Sequence, residues 1–293
     1  MLFDLNVPWP QTTFTAPPTA QAIVTLKNTL AMLEELGYTH VALNFIVEQG
    51  AKIPQNPNPI DLSLVGEFQT RLNLFTRVTL LIDDPSQGQG VAKLSSAFDI
   101  VAVCPRTEKA LLLAVTNLDI DIITFNYAER LPCFLRHKTV GAAIEKGIKF
   151  EVVYSPAIAG PAGYADGVTV STAALQSRRQ FFNNAASIIR ASRSRGLVLS
   201  SGAASPLQCR GSFDVCNLLI LLDLDHSRCK AAMTEVPSKV VLSGRLRGQS
   251  YKQTVIVGQY ESLRATIDAP KRRKLGDTPS GNLMKRQKEL AKH

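Results

Sequence analysis

Short apolar runs of β type alternate along this chain with longer stretches whose apolar residues recur at helical spacing, and few folds accept that rhythm. Leu2-Phe3-Asp4-Leu5 reads as a first strand. Ala20 to Leu36 carries Ile23, Leu26, Leu30 and Leu33 on one helical face, with Gly37 as its stop. His40 to Phe45 is a second strand. The prolines of Pro54-Gln55-Asn56-Pro57-Asn58-Pro59 each fix φ and remove a donor, which makes that segment a loop. Val65 to Asn73 reads as helical, and Phe75 to Ile82 as a strand ending at Asp83-Asp84-Pro85. Helix then strand repeats over 91–98 and 99–103, over 107–116 and 120–125, and over 134–146 and 149–154. Pro156 to Asp166, rich in Gly, Pro and Ala, reads as a loop. Thr172 to Arg195 is a long helix, Leu197 to Ser200 a strand, and 213–222 and 227–233 are helical. Val240 to Leu242 fits an eighth strand or a helix equally well.

At least seven strands alternating with helices, many of them continuous and apolar, argue for a parallel sheet covered on both faces. A TIM-like (β/α) barrel suits the count better than an open sheet, because no Gly-rich phosphate loop follows the first strand. Apolar residues make up 45% of the 293, enough for one large core. The barrel domain is expected over residues 1–247. Residues 248–293 are expected to form a disordered basic tail, because most of the net charge of +9 falls beyond residue 263. There Lys271-Arg272-Arg273-Lys274 follows Pro270 and resembles a nuclear import signal, with Lys285-Arg286 beyond it.

The other class-level signals are negative. The five cysteines, Cys104, Cys133, Cys209, Cys216 and Cys229, include no CxxC pair, so neither a disulfide framework nor a zinc cluster is signalled. Reduced thiols fit a nuclear or cytosolic chain. The N-terminus lacks the order of a signal peptide, and no apolar run reaches the ~18 residues of a membrane span.

The strongest functional signal is the stretch from Gly167 to Phe213. It holds Arg178, Arg179, Arg190, Arg193, Arg195 and Arg210 and not one acidic residue. A guanidinium presents a planar fork of donors that matches phosphate oxygens two at a time. Uncompensated arginines in such density point to a polyanion, RNA or DNA first. On a continued helix, Arg179, Arg190 and Arg193 fall within an arc of about 60° beside the apolar face of Phe181, Ala185 and Ile188. Arg195 at the helix end is also favoured by the helix dipole.

Catalytic signals are thin. Barrel enzymes work at strand ends, and these here are Asp4, Asn6, Asn44, Asp83, Asp84, Cys104, Asn126, Tyr154, Ser200 and Ser201. The four histidines show neither HxH nor HxxxH spacing, so metal hydrolysis is not supported. Ser200-Ser201-Gly202 is no GxSxG elbow, and Cys104 has no evident base. His137, between Arg136 and Lys138, reads as part of a solvated basic face. Asp119 and Asp121 share one face and read as a salt-bridged barrel floor.

Several segments together resemble the RNase P/RNase MRP protein subunit family of about thirty kilodaltons, in its fungal form. They are Leu5-Asn6-Val7-Pro8-Trp9-Pro10, then Leu36-Gly37-Tyr38-Thr39-His40 with Asn44-Phe45, then Asp83-Asp84-Pro85. Asn117-Leu118-Asp119-Ile120-Asp121, Arg178-Arg179-Gln180-Phe181, and Arg190 to Ala203 with Ser205-Pro206-Leu207 follow in family order. The resemblance implies a barrel like that of the polymerase-and-histidinol-phosphatase hydrolases with its metal site lost, since Asp4-Leu5-Asn6 stands where those enzymes carry His-x-His. It implies no catalytic residue, metal or cofactor of the chain's own. The expected role is a scaffold in a ribonucleoprotein whose RNA performs 5′ maturation of precursor tRNA, and in a related particle acting on precursor rRNA. Expected partners are RNase P RNA, RNase MRP RNA, a smaller RNA-recognition-like protein subunit and the particle's other subunits. Precursor tRNA would be an indirect partner, and the expected location is the nucleus, in particular the nucleolus. The alternatives are a metal-dependent phosphoesterase of the related barrel type and a scaffold that meets only an acidic protein.

Overall fold

The computed structural model describes residues 1–48, 51–84, 90–159 and 172–249. β1 (Phe3–Pro8), α1 (Ala20–Glu35) and β2 (His40–Val47) form the first β/α/β unit, and β3 (Asn73–Ile82) follows. α2 (Val91–Ser95), β4 (Ile100–Pro105), α3 (Glu108–Thr116) and β5 (Ile122–Ile123) continue the pattern. After α4 (His137–Glu145), β6 (Lys149–Val153) and α5 (Ser155–Ala159), α6 (Thr172–Ser192) leads into β7 (Leu197–Ser200). α7 (Ser212–Ile220), α8 (His226–Met233) and α9 (Glu235–Gln249) end the described chain. Every strand pairs in parallel with its sequence neighbour, in the order β1 to β7.

The sheet curls into a nearly closed barrel. Where β7 returns to β1, the ladder gives way to single bonds. The Gly202 N–H donates to the Asn6 carbonyl at 2.9 Å. The Ser201 N–H donates to Asp4 Oδ1 at 3.1 Å, so a side chain replaces a missing rung. Gly202 has φ +61°, and a Cβ there would lie 2.3 Å from Val153 Cγ1, so only glycine lets the seam approach this closely.

Strand alternation divides the core in two. Val41, Leu43, Phe45, Val78, Leu80, Val101 and Val103 pack outward under the helices. Phe3, Leu5, Ala42, Phe75, Ile100, Ala102, Ile122 and Val198 fill the lower interior. Val240 and Val241 join that inner cluster, so α9 plugs the bottom of the barrel and the 240–242 region is helical. Two arginines hold the plug. Arg245 lies 4.9 Å above the Phe75 ring, and Arg247 Nη1 donates to Asp121 Oδ1 at 2.8 Å. Asp121 Oδ2 accepts from the Val101 N–H, so the floor is salt-bridged through Asp121 while Asp119 stays exposed. Gly244 permits the contact, because a Cβ would sit 1.9 Å from the Asp99 carbonyl oxygen.

Above the apolar floor lies a closed circuit of polar side chains. The Arg77 guanidinium clamps Glu151 through Nη1 to Oε1 at 2.5 Å and Nη2 to Oε2 at 2.7 Å, both residues having no solvent exposure. Nη1 also donates to the Leu5 carbonyl, and Nε to Thr79 Oγ1. Thr79 donates to Asn44 Oδ1, Asn44 Nδ2 to Asn6 Oδ1, and Asn6 Nδ2 to Glu151 Oε2. The circuit joins β3, β2, β1 and β6. Burial raises the Glu151 pKa, but Arg77 and the hydrogen bonds outweigh it and hold the carboxyl below its ordinary value.

Several expected boundaries shift. The 65–73 helix is a 3-10 turn over Leu62–Phe68, kinked at Val65. The 120–125 strand shortens to Ile122–Ile123, flanked by backbone bonds from Asp121 to Val101 and from Thr124 to Val103. The expected 134–146 helix starts at His137 and leaves Phe134 in the preceding segment. Pro156, expected at the start of a loop, lies in α5, where a first-turn proline gives up no intrahelical bond; residues 160–171 lie outside the described residues. α6 stops at Ser192 rather than Arg195. α9 continues to Gln249, and the expected tail with Lys271, Arg272, Arg273 and Lys274 lies outside the described residues.

Glu151→Gln should cost about 3–5 kcal/mol, because it leaves the Arg77 charge buried without its partner. The paired change Arg77→Met with Glu151→Leu should recover most of that loss. Urea unfolding midpoints of the three proteins check both.

Candidate nucleic-acid interface

The arginine-rich block is shaped by the way α6 ends. Ser194 N–H bonds the Ile189 carbonyl at 3.0 Å, and Arg193 N–H bonds the Arg190 carbonyl at 3.2 Å. This is the paired closure that usually places glycine in the left-handed position. Here Arg193 occupies it, with φ 52°, and Ser194 follows with φ 58°. Arg193 therefore departs from the expected helical arc: it stands on a sharp turn beyond the helix. Non-glycine residues in this region cost about 1–2 kcal/mol each.

The structure sorts the six arginines into two groups. Arg179 and Arg190 project from α6, and Arg193 and Arg195 from the turn; all four are exposed and form no ion pair among the described residues. Arg178 and Arg210 are half-buried. Arg178 Nη2 donates to the Ile158 carbonyl at 3.0 Å and ties α6 to α5. Arg210 Nη1 donates to the Leu207 and Cys209 carbonyls, both at 2.7 Å, and its N–H meets the Tyr154 hydroxyl. These two brace backbone, and the other four are free for a ligand.

The upper mouth of the barrel is a cleft of about 720 Å³. Asn6, Asn44, Cys104 and Asn126 line it, as expected of strand ends, with Thr79 and Thr124 beside them and Arg106 and Arg130 at the rim. Asp4, Tyr154, Ser200 and Ser201 are buried in the wall. Asp83 and Asp84 follow β3 but do not line the cleft. Burial raises the Cys104 thiol to about 11, which leaves it protonated and a poor nucleophile at neutral pH. Among the described residues no three His, Cys, Asp or Glu side chains gather to hold a metal. His137 stands exposed between Arg136 and Lys138, and its Nδ1 lies 2.7 Å from the Ala191 carbonyl; a carbonyl only accepts, so Nδ1 carries the proton.

The Asp4 carboxyl is buried in the wall at the seam. Burial raises it to about 6, against the opposing pull of the Ser201 side chain and of the Ser201 and Asn6 backbone donors. Its bonds are structural, however, since Oδ1 spans the barrel seam and accepts from Asn6 and Ser201.

Sequence reasoning missed Arg77, Glu151, Arg130 and Phe134. The first two had a visible signal. A lone arginine inside 74–82 and a lone glutamate inside 149–153, each in a strand covered on both sides, must find each other in the interior. Phe134 was hidden by its assignment to the helix.

A family model described as RNase P subunit p30 matches residues 1–249. The chain is 48% identical over 264 residues to the ribonuclease P/MRP protein subunit RPP1 of Saccharomyces cerevisiae, covering 88% of this chain and 85% of that one. It is 32% identical to the ribonuclease P protein subunit p30 of Mus musculus, over 77% of this chain and 83% of that one. Among solved structures, a chain of an archaeal ribonuclease P with mature tRNA superposes with TM-score 0.57 at 14% identity, covering 88% of this chain and 99% of that one. Aspergillus niger ochratoxinase superposes with TM-score 0.51 at 9% identity, covering 82% and 71%. These last two likenesses show the barrel fold.

Two stability changes follow. The Asp4 carboxyl loses its proton near pH 3.8 when unfolded and near 6 when folded, so its contribution is greatest in acid and is lost as pH rises through that window. Asp4→Asn keeps the acceptor and removes the charge, so its stability relative to the parent should grow by about 2–3 kcal/mol between pH 4 and pH 7, read from urea midpoints at each pH. Arg193→Gly should stabilise the fold by about 0.5–1 kcal/mol with an unchanged denaturant slope, because glycine accepts φ 52° without strain.

Proposed function

The chain belongs to the RNase P subunit p30 family, and from that membership we propose that it serves as a non-catalytic protein subunit of ribonuclease P, holding RNA while the RNA component cuts. The observation that carries the RNA-holding part is the row Arg179, Arg190, Arg193 and Arg195, exposed and without ion pairs among the described residues. The absence of any carboxylate from 167 to 213 keeps that row attractive to phosphates. Arg178 and Arg210 support this surface from behind by fixing α5, α6 and the 207–210 segment. Service in ribonuclease MRP as well is supported by the double name of the yeast relative.

The reading extends to partners and place. A smaller protein subunit with an RNA-recognition-like sheet is the proposed neighbour, alongside the RNase P and MRP RNAs. Nuclear and nucleolar residence is supported by Lys271-Arg272-Arg273-Lys274 in sequence. The rival phosphoesterase reading gains nothing from the mouth, where amides, hydroxyls and a protonated thiol stand.

Tagging the chain in its own cells and sequencing the RNA that copurifies tests the proposal. One or two structured noncoding RNAs, with leader-cleaving activity lost on RNA digestion, is the expected result; no specific RNA would overturn it. In the purified chain, Arg190→Ala with Arg193→Ala should weaken RNA binding and flatten the salt slope by about 0.7–0.9 per arginine. An unchanged slope would remove this row from the contact surface.

A further inference from the structure

The mouth of the barrel does not end at its rim. Arg130 and Pro132 line both the mouth cleft and a second groove of about 980 Å³ between the 130–137 segment and α6. The groove runs past Phe134, His137, Gln180 and Asn183 to Arg190. Mouth and groove therefore form one track, from the polar ends of the strands to the exposed arginine row.

Three features of the track point to one kind of occupant. First, Phe134 is 86% exposed, the most exposed aromatic side chain among the described residues, none of which covers its ring. An exposed ring beside cations is the platform on which unpaired bases stack. Second, the cations are spaced along the track, with Arg106 and Arg130 at the mouth and Arg190 at the far end. Glu129 is the only carboxylate among the lining residues of either part. Third, the surfaces between are amides and hydroxyls, namely Asn126, Asn183, Gln180 and Ser187, which can both donate to and accept from base edges. The floor adds no net charge, because Arg77 and Glu151 cancel beneath it.

We propose that this track holds a short unpaired strand of RNA, with one base stacked on Phe134, phosphates on Arg130 and Arg190, and a neighbouring nucleotide turned into the barrel mouth beside Arg106 and Asn126. The proposal rests on the reading of the chain as an RNA-holding subunit and names the form of RNA. Duplex RNA does not fit this mode, because its bases are already stacked on one another and offer no free face to Phe134. A duplex meets the outer arginine row through its phosphates alone.

The full-length chain is titrated with fluorescent oligouridine of about ten nucleotides and, separately, with an RNA duplex of similar length. Phe134→Ala should weaken oligouridine binding by about tenfold and leave duplex binding unchanged, and Phe134→Trp should restore it. Arg130→Ala and Arg106→Ala should each weaken oligouridine binding and flatten its salt slope by about 0.7. Phe134 is fully outside the core, so its variants retain the fold. If Phe134→Ala leaves oligouridine binding intact, or weakens both probes equally, the track is not a single-strand site while the RNA-holding reading stands. If that variant keeps oligouridine affinity but loses a copurifying protein subunit, the ring belongs to a protein interface and the proposal is overturned. If the parent chain binds neither probe, the RNA-holding reading falls with it.

Discussion

The ion pair of Arg77 and Glu151 is the constraint on which the interior depends. Both groups are fully buried, so each is tolerable only because the other is present and because Leu5, Thr79 and Asn6 complete their hydrogen bonds. The pair fixes the register of β3 against β6 across the barrel. A slip of one residue in either strand would turn a charge outward into the Val78 and Val152 layer. The pair also makes the upper interior polar yet neutral. Below it the barrel is sealed by apolar side chains and by α9, so among the described residues the mouth is the open end of the interior.

This arrangement commits the buried carboxyls nearest the mouth to the fold itself. The strand ends present amides, hydroxyls and a protonated thiol, and the acids near them serve other ends: Asp4 spans the seam and Glu151 is spent on Arg77. Charge free to meet a ligand stands at the rim, on Arg106 and Arg130, and on the flank, on α6 and the turn that follows. There the backbone accepts left-handed strain at Arg193 and Ser194, where glycine would be easier. Strain kept at an exposed arginine, in a turn that packing alone would fill with glycine, fits a side chain retained for what it touches.

Much of the fold was legible in the sequence because a parallel barrel writes itself as apolar runs separated by helical ones. The seven strands and the helix at 172–192 follow from that rhythm. The misplaced elements are those where tertiary contacts overrode local pattern. Asp121 sends its side chain to Arg247 while its backbone stays bonded to Val101 and Lys149, and Pro156 sits in a helix at the one turn that tolerates it. Val240 was ambiguous because a residue that plugs a barrel is apolar whether helical or extended. At the site, composition locates the arginines, but only the folded chain separates Arg178 and Arg210, which brace backbone carbonyls, from the four that do not. Phe134 could not be read as exposed, since apolarity alone assigns such a residue to the core.

The measurement that bears most directly on the central claim is ultraviolet crosslinking of the assembled particle, with the crosslinked nucleotides mapped to peptides by mass spectrometry. The account places crosslinks on the α6 end and its turn, through Arg190, Arg193 and Arg195, and on the 130–137 segment. Crosslinks confined to the opposite end of the barrel, around α9 and Asp119, would contradict it.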